Sequence, residues 1–193
     1  MNEYGATVER STKETSIRLT LGLDGPGEVK IETGLPFFDH ILRSMAFHGR
    51  FALELEASGD VEVDPHHLVE DVGIVLGDAF RACLQKIGAV ERYGHSVIPM
   101  DDALSEVAVD VCERPYLAFS AEFPQNRCGE FDLSLLREFL LGLANRARIN
   151  LHADCRAGLN SHHMAESLFK ALGRALKSAY TPSAGGMSTK GSL

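Results

Sequence analysis

Apolar and polar residues follow two different periods along the chain. In the first half, two strictly alternating segments predict half-buried strands, and two segments with apolar residues three or four apart predict helices. Residues 24–27 contain two glycines and a proline and predict a turn, so the strand that begins at Val29 is expected to return from the strand before it. The predicted elements of this half are strands at 17–23, from 29 and at 51–55, and helices at 36–47 and 67–87.

The second half shows the same succession of periods. An alternating segment is followed by a partner strand, a helical segment, a further strand and a longer helix. These elements are predicted at residues 107–111, 116–121, 133–146, 149–153 and 161–180. Each half is predicted to contain three strands, a helix, a strand and a longer helix, and the pattern locates all of these elements except one strand in each half.

A gap-free comparison makes the repeat explicit, because residues 51–80 match residues 147–176 at an offset of 96. The sequence therefore predicts an α+β fold with an internal duplication: two four-stranded β-sheets packed against four α-helices. The predicted halves are residues 1–92 and 93–193. No low-complexity linker separates them, so we expect one compact domain with a shared core.

Composition narrows the functional classes. The 193 residues are 45% hydrophobic and 24% charged, as in an average globular protein, and no stretch approaches the ~20 apolar residues of a membrane span. The N-terminus shows no secretory signal, and a net charge of −8 argues against binding to nucleic acid or to an anionic membrane. The four cysteines form no C-x-x-C pair, so we expect reduced, mostly buried thiols in a cytoplasmic protein.

The duplicated segment H-H-x-x-E is the strongest candidate for chemistry. Residues i and i+4 share a helix face, so His66 can converge with Glu70 on one ion, and His162 can converge with Glu166. The neighbours His67 and His163 point about 100° away and could serve a second ion. A single H-H-x-x-E is more often only a polar helix start, but preservation of three ligand types in both repeats favours a site with two metal ions.

Two further residues extend this ligand set. His40 and Glu138 lie in the preceding helix of each half and correspond to each other if the first loop carries two extra residues. On spacing alone, Glu138 could equally be an ordinary exposed glutamate. Imidazoles and carboxylates together suit manganese, iron or zinc.

Eight separated segments resemble the imidazoleglycerol-phosphate dehydratase family, in order, from about residue 9 to the end of the chain. They are RSTKET at 10–15, TGLPFFDH at 33–40, DPHHLVED at 64–71, RYG at 92–94, PMDDAL at 99–104, RPYL at 114–117, NSHH at 160–163 with Glu166, and STKG at 188–191. The resemblance implies a lyase of histidine biosynthesis that uses two Mn²⁺ ions and no organic cofactor. It also implies a 24-subunit assembly with active sites at subunit contacts.

The resemblance further implies how the metal ligands divide. One ion would be held by His40, His66, Glu70 and His163, and the other by His67, Glu138, His162 and Glu166. Glu138 stands where other family members carry histidine, although a carboxylate also ligates Mn²⁺.

The same resemblance identifies phosphate-binding residues. Arg92, Arg114, Ser188 and Lys190 match that role, and charge-assisted bonds from arginine and lysine suit a phosphate monoester. Without the resemblance, the two arginines would be interpreted as solvated charges, and the Gly-rich tail with Ser188 and Lys190 as a disordered end.

The implied reaction removes a hydroxyl from the carbon beside an imidazole ring and a proton from the next carbon, and no carbonyl activates either position. Lewis acids lower the pKa of a bound group, so the ring could bind as imidazolate and assist loss of the hydroxyl. Glu14 is the candidate for substrate contact and proton transfer, or else a surface charge. Glu70 and Glu166 are the other candidate catalytic residues.

Two rival functions use the same metal ligands. A dinuclear metallohydrolase would act on a small phosphorylated molecule, since two-metal sites often activate water. A metal-storage or metal-sensing protein would bind metal tightly without needing Arg92, Arg114 or Lys190. Neither rival accounts for the substrate-side motifs.

Overall fold

Each half of the chain builds a four-stranded sheet and two helices, and the computed structural model describes residues 3–185. The first half contains β1 (Gly5–Ser11), β2 (Thr15–Gly22), β3 (Val29–Glu32), α1 (Pro36–Gly49), β4 (Ala52–Gly59) and α2 (His66–Ile87). The second half contains β5 (Tyr93–Met100), β6 (Ala103–Val111), β7 (Tyr116–Ser120), a hairpin of β8 (Arg127–Cys128) and β9 (Phe131–Asp132), α3 (Leu135–Ala147), β10 (Ile149–Ala157) and α4 (Ser161–Ala179). The α+β fold with two four-stranded sheets and four helices is confirmed.

The two sheets share one topology. Their strand orders are β1-β2-β4-β3 and β5-β6-β10-β7, and in each sheet the last pair is parallel while the others are antiparallel. The expected return of β3 onto β2 was wrong. Both edges of β2 are already taken, since Leu19 pairs with Val8 of β1 and with Leu55 of β4. Strand β3 therefore joins the free edge of β4, where Ile31 lies opposite Leu55.

Helix pairing also follows the repeat. Helix α1 packs on α4, and α2 packs on α3. Close approach depends on equivalent glycines: a side chain at Gly77 would clash with the carbonyl of Leu143, and one at Gly173 would clash with the carbonyl of Met45. Each pair thereby brings the start of its long helix beside the start of the shorter one, and the starts carry the candidate ligands.

One hydrophobic cluster runs through both halves of residues 3–185. Phe38 of α1 meets Phe139 of α3 edge to face with ring centroids 5.4 Å apart, and Phe139 stacks on Phe169 of α4 at 5.5 Å. Burying a side chain of this size stabilises the fold by ~1.5–3 kcal/mol. The aromatic chain fixes the relative position of the helices that carry the site.

The remaining features agree with a compact interior. Cys83, Cys112 and Cys128 are buried free thiols and Cys155 is half-buried, so the prediction of mostly buried cysteines is confirmed. Of the helices formed within residues 3–185, none combines the length and apolar character that a bilayer crossing requires.

Candidate metal centre and active site

Helix α4 begins with the best-formed cluster of potential metal ligands. The side chain of Asn160 accepts the backbone N–H of His162 at 2.9 Å and fixes the first turn. One turn later, Glu166 places Oε2 3.2 Å from Nε2 of His162 and 3.1 Å from Nε2 of His40, which reaches over from α1. Among residues 3–185, His40, His162 and Glu166 form a group whose ligand atoms all lie within 4.8 Å of one another. We call these three residues the α4 cluster.

The carboxylate of the α4 cluster is held ionised. The Glu166 side chain is only 11% exposed, and its other oxygen accepts from Lys170 Nζ at 2.9 Å and from the Ser44 hydroxyl at 3.3 Å. Burial alone would raise the pKa of Glu166, but the bonds from Lys170 and His40 outweigh it and lower the pKa to about 2. A permanently charged carboxylate between two imidazoles suits a divalent cation with a preference for nitrogen and oxygen ligands.

The equivalent start of α2 is more open. Nε2 of His66 lies 3.9 Å from Oε2 of Glu70, and both side chains are 42% exposed. Glu138 comes from the neighbouring helix α3, where its carboxylate accepts from Arg137 Nη1 at 3.2 Å. The i, i+4 pairs at both helix starts therefore have the geometry that the helix period predicted.

The second histidine of each H-H pair has an aspartate on its Nδ1 atom. Nδ1 of His163 lies 2.6 Å from Asp102, and Nδ1 of His67 lies 3.3 Å from Asp60. The bond to Asp60, helped by the charge of Glu14, raises the pKa of His67. A carboxylate that accepts the Nδ1 proton leaves Nε2 with a free lone pair, which is the arrangement typical of metal-bound histidines.

Asp102 is fixed on both sides. Its Oδ2 accepts the backbone N–H groups of Leu159 and Asn160 at 2.5 and 2.9 Å, while Oδ1 faces His163. The bonds from His163 and these two amides hold the pKa of Asp102 well below its usual range. Asp102 therefore couples the loop before α4 to the orientation of the His163 ring.

We predict that Asp102→Asn weakens metal binding about 10- to 100-fold, because an outer carboxylate of this kind orients the ligand and raises its basicity. The measurement is a calorimetric titration of the metal-stripped protein with Mn²⁺. Asp154→Asn is the matched control, since the Asp154 side chain is 47% exposed and its carboxylate pairs with Arg156 at 3.9 Å. Equal affinities of the two variants would contradict a positioning role for Asp102.

An apolar cleft of about 690 Å³ opens beside the α4 cluster. Phe37 and Phe131 form part of its wall, and Phe37 meets the His162 ring edge to face at 5.2 Å. Pro65, directly before His66, lines the same cleft. A flat heterocycle next to His40 and His162 would therefore lie against aromatic side chains.

Comparison with known proteins identifies the family of this chain. The sequence model of a family described as imidazoleglycerol-phosphate dehydratase matches residues 33–176, which include the His40 segment and both H-H-x-x-E segments. The chain belongs to the imidazoleglycerol-phosphate dehydratase family. The predicted family is thereby confirmed, and with it the prediction of a dehydratase of histidine biosynthesis.

Relatives support the assignment along the whole chain. The imidazoleglycerol-phosphate dehydratase of Acidithiobacillus ferrooxidans is 49% identical over 197 residues, covering 100% of this chain and 99% of the relative. That of Geobacillus kaustophilus is 49% identical over 191 residues, covering 97% and 98%. The crystal structure from Pyrococcus furiosus, in complex with (S)-C348, superimposes with a TM-score of 0.83 at 37% identity and covers 96% of this chain and all of that one.

Within one chain the candidate ligands group according to helix packing, and the division between two ions that the family resemblance implied stays a prediction. His40 lies with His162 and Glu166, not with His66 and Glu70, because α1 packs on α4 and α2 on α3. Candidate ligands from both repeats lie together in this cluster, and their role as metal ligands stays a prediction. The α4 cluster takes one residue from the first repeat and two from the second.

The residues expected to bind phosphate lie at the other end of the fold. Arg92 donates to Asp110 at 2.6 and 3.1 Å, and its backbone N–H donates to the carbonyl of Ala179, the last residue of α4. Seventeen residues separate Ala179 from His162, which is about 25 Å at the rise of an α-helix. Arg114 is exposed at the same end of the second sheet. Ser188 and Lys190 lie outside the described residues.

Glu14 lies at the same end of the fold as the candidate metal ligands. It lies in the turn between β1 and β2, with Oε2 3.9 Å from Nδ1 of His67, and its side chain is 56% exposed. The corresponding turn between β5 and β6 carries Asp102, which faces His163. Each hairpin turn thus presents a carboxylate to the second histidine of its own half.

Sequence reasoning missed three residues that contact the candidate ligands: Asp60, Asp102 and Lys170. Asp102 lies inside the segment PMDDAL, but nothing in the neighbouring sequence indicates its hydrogen bond with His163, 61 positions away. Lys170 carried a usable signal, because it lies one helical turn after Glu166 and such i, i+4 pairs share a face.

Proposed function

We propose that this chain dehydrates imidazole glycerol phosphate to imidazole acetol phosphate at a site holding two Mn²⁺ ions. The observation that carries the proposal is the α4 cluster, in which His40 from one repeat converges with His162 and Glu166 from the other. Lys170 and Ser44 bind one oxygen of Glu166, so the other oxygen, which lies between the two imidazoles, is available as a ligand atom for a cation. Family membership then supplies the reaction.

The donors fit the proposed ions in number and type. Five imidazoles and three carboxylates provide four ligands for each of two cations: His40, His66, His67, Glu70, Glu138, His162, His163 and Glu166. Two bound cations would supply Lewis acidity that lowers the pKa of the ring N–H, so that the substrate binds as imidazolate. Glu70 and Glu166 contribute fixed negative charge, and neither needs to move a proton.

Proton transfer is assigned to Glu14. Its carboxylate is exposed, faces the second histidine of the first repeat and belongs to a tight turn in which the Thr12 hydroxyl accepts the Glu14 backbone N–H at 3.1 Å. The turn holds the backbone while the side chain remains free to reach the glycerol chain of the substrate. Glu14 is therefore suited to remove the proton from the carbon adjacent to the one that loses its hydroxyl.

Phosphate binding requires a second subunit in this proposal. Arg92 and Arg114 would neutralise the phosphate together with Ser188 and Lys190, yet Arg92 lies about 25 Å from His162 in the same chain. A small substrate does not span that distance. We therefore propose that each active site combines the arginines of one subunit with the metal ligands of another, in the 24-subunit assembly implied by the family. The assembly would act in the cytoplasm.

The test uses the full chain, stripped with a chelator and reloaded with Mn²⁺, acting on imidazole glycerol phosphate. We expect formation of the ketone product without release of inorganic phosphate, loss of turnover after chelation, and recovery with Mn²⁺. Release of phosphate without the ketone would favour the rival metallohydrolase. Full turnover by the metal-free protein would overturn the proposed metal chemistry.

A further inference from the structure

The two repeats do not supply the same metal ligands. Helix α1 buries Ile41, Leu42 and Met45, and helix α3 buries Phe139, Leu140 and Leu143, in each case 98 residues apart. Both helices end at an arginine in the left-handed conformation, Arg50 with φ 57° and Arg148 with φ 55°. This register makes His40 and Glu138 equivalent, so the duplication has a histidine on one side and a glutamate on the other.

Helix packing places Glu138 on α3 at the position equivalent to that of His40 on α1. Leu143 of α3 lies over Gly77 of α2, as Met45 of α1 lies over Gly173 of α4. His40 occupies the turn of α1 that faces the start of α4. Glu138 therefore occupies the turn of α3 that faces the start of α2, where His66 and Glu70 are found.

The resulting imbalance does not depend on how ligands are divided between the ions. If each helix pair keeps its own ligands, the sets are His40, His162, His163 and Glu166, and His66, His67, Glu70 and Glu138. If they are crossed as in the family, the sets are His40, His66, His163 and Glu70, and His67, His162, Glu138 and Glu166. In both divisions, the set with Glu138 has two imidazoles and two carboxylates, and the other has three imidazoles and one carboxylate.

We infer that Glu138 determines metal specificity, because it gives one of the two metal positions a ligand set with more carboxylate oxygens than the other. This inference rests on the proposed two-metal function. Carboxylates favour Mn²⁺ and Mg²⁺, whereas three imidazoles with one carboxylate favour Zn²⁺ and Fe²⁺. The position with Glu138 therefore retains Mn²⁺ against zinc better than its neighbour, and exposure to mixed metals produces a mixed pair.

The experiment is anomalous diffraction from crystals of the full-length assembly, stripped of metal and reloaded with Zn²⁺ and an excess of Mn²⁺. Data collected at the two absorption edges give the zinc-to-manganese ratio at each position without reference to activity. We expect a lower ratio at the position bound by Glu138. Equal ratios at two occupied positions would overturn this inference and leave the proposed function standing.

Two reciprocal variants complete the test. Glu138→His gives both positions three imidazoles. The zinc-to-manganese ratio at the altered position should therefore rise to that of the other position. His40→Glu gives both positions two carboxylates. The zinc-to-manganese ratio at the position bound by residue 40 should therefore fall to that of the position bound by Glu138. A difference that survives in both variants would overturn the role of Glu138, and absence of metal from both positions of the wild-type protein would overturn the proposed function as well.

Discussion

Replacing Glu166 by glutamine is expected to lower kcat/KM by about 10³-fold, because loss of one Lewis acid removes several kcal/mol of transition-state stabilisation and each 1.36 kcal/mol is tenfold in rate. Glutamine has the shape of glutamate, and its amide oxygen can still accept from Lys170. It lacks the negative charge that lies 3.1 Å from His40 and 3.2 Å from His162. The measurement is steady-state kinetics together with the metal content of the purified variant.

The matched control is Glu91→Gln, which removes an exposed carboxylate beside Arg92, at the opposite end of the fold from the α4 cluster. We expect wild-type metal content and folding for this control. The decisive comparison is metal content, since Glu166→Gln should lose Mn²⁺ while its circular dichroism spectrum stays unchanged. A Glu166→Gln enzyme that retains two Mn²⁺ and full turnover would remove this carboxylate from the metal centre.

The parts of the fold that depend on local periodicity could be predicted from the sequence. Helix α4 was expected at 161–180 and is observed at Ser161–Ala179, and α2 begins at His66, one residue before its predicted start. Strand pairing depends on which edges remain free, so the parallel placement of β3 beside β4 was not predictable from the turn at 24–27. Strands β1 and β5 were not located by alternation, and the two-residue strands β8 and β9 are too short to show a period.

The candidate site likewise has a part that local periodicity predicts and a part that depends on tertiary packing. His162 and Glu166 converge because four residues make about one helical turn, which the sequence states directly. The third member of the cluster depends on which helices pack together, and that is decided by close approaches at Gly77 and Gly173, remote from the ligands. The matching of these two glycines in the repeat was visible, but the identity of their partners Leu143 and Met45 was not.

Mixing two inactive variants is expected to restore activity if the site is shared between subunits. Glu166→Gln removes a proposed metal ligand, and Arg92→Ala removes a proposed phosphate-binding residue about 25 Å away in the same chain. In randomly mixed oligomers, a site that takes α4 from one subunit and Arg92 from another is intact in about a quarter of cases. Unfolding and refolding the two proteins together, then measuring kcat, should therefore recover roughly a quarter of the wild-type value.

The control for this experiment is a mixture of Glu166→Gln with His162→Ala. Both changes lie on the first turns of α4 and 3.2 Å apart in one chain, so every site receives a damaged helix whichever subunit supplies it. Mixed oligomers of this second pair should stay inactive, and native mass spectrometry verifies that mixing occurred. If the Glu166→Gln and Arg92→Ala mixture is equally inactive although mixed oligomers form, then each chain must build its site alone. The 25 Å separation would then have to close by a rearrangement within the subunit that moves or bends helix α4, which spans it.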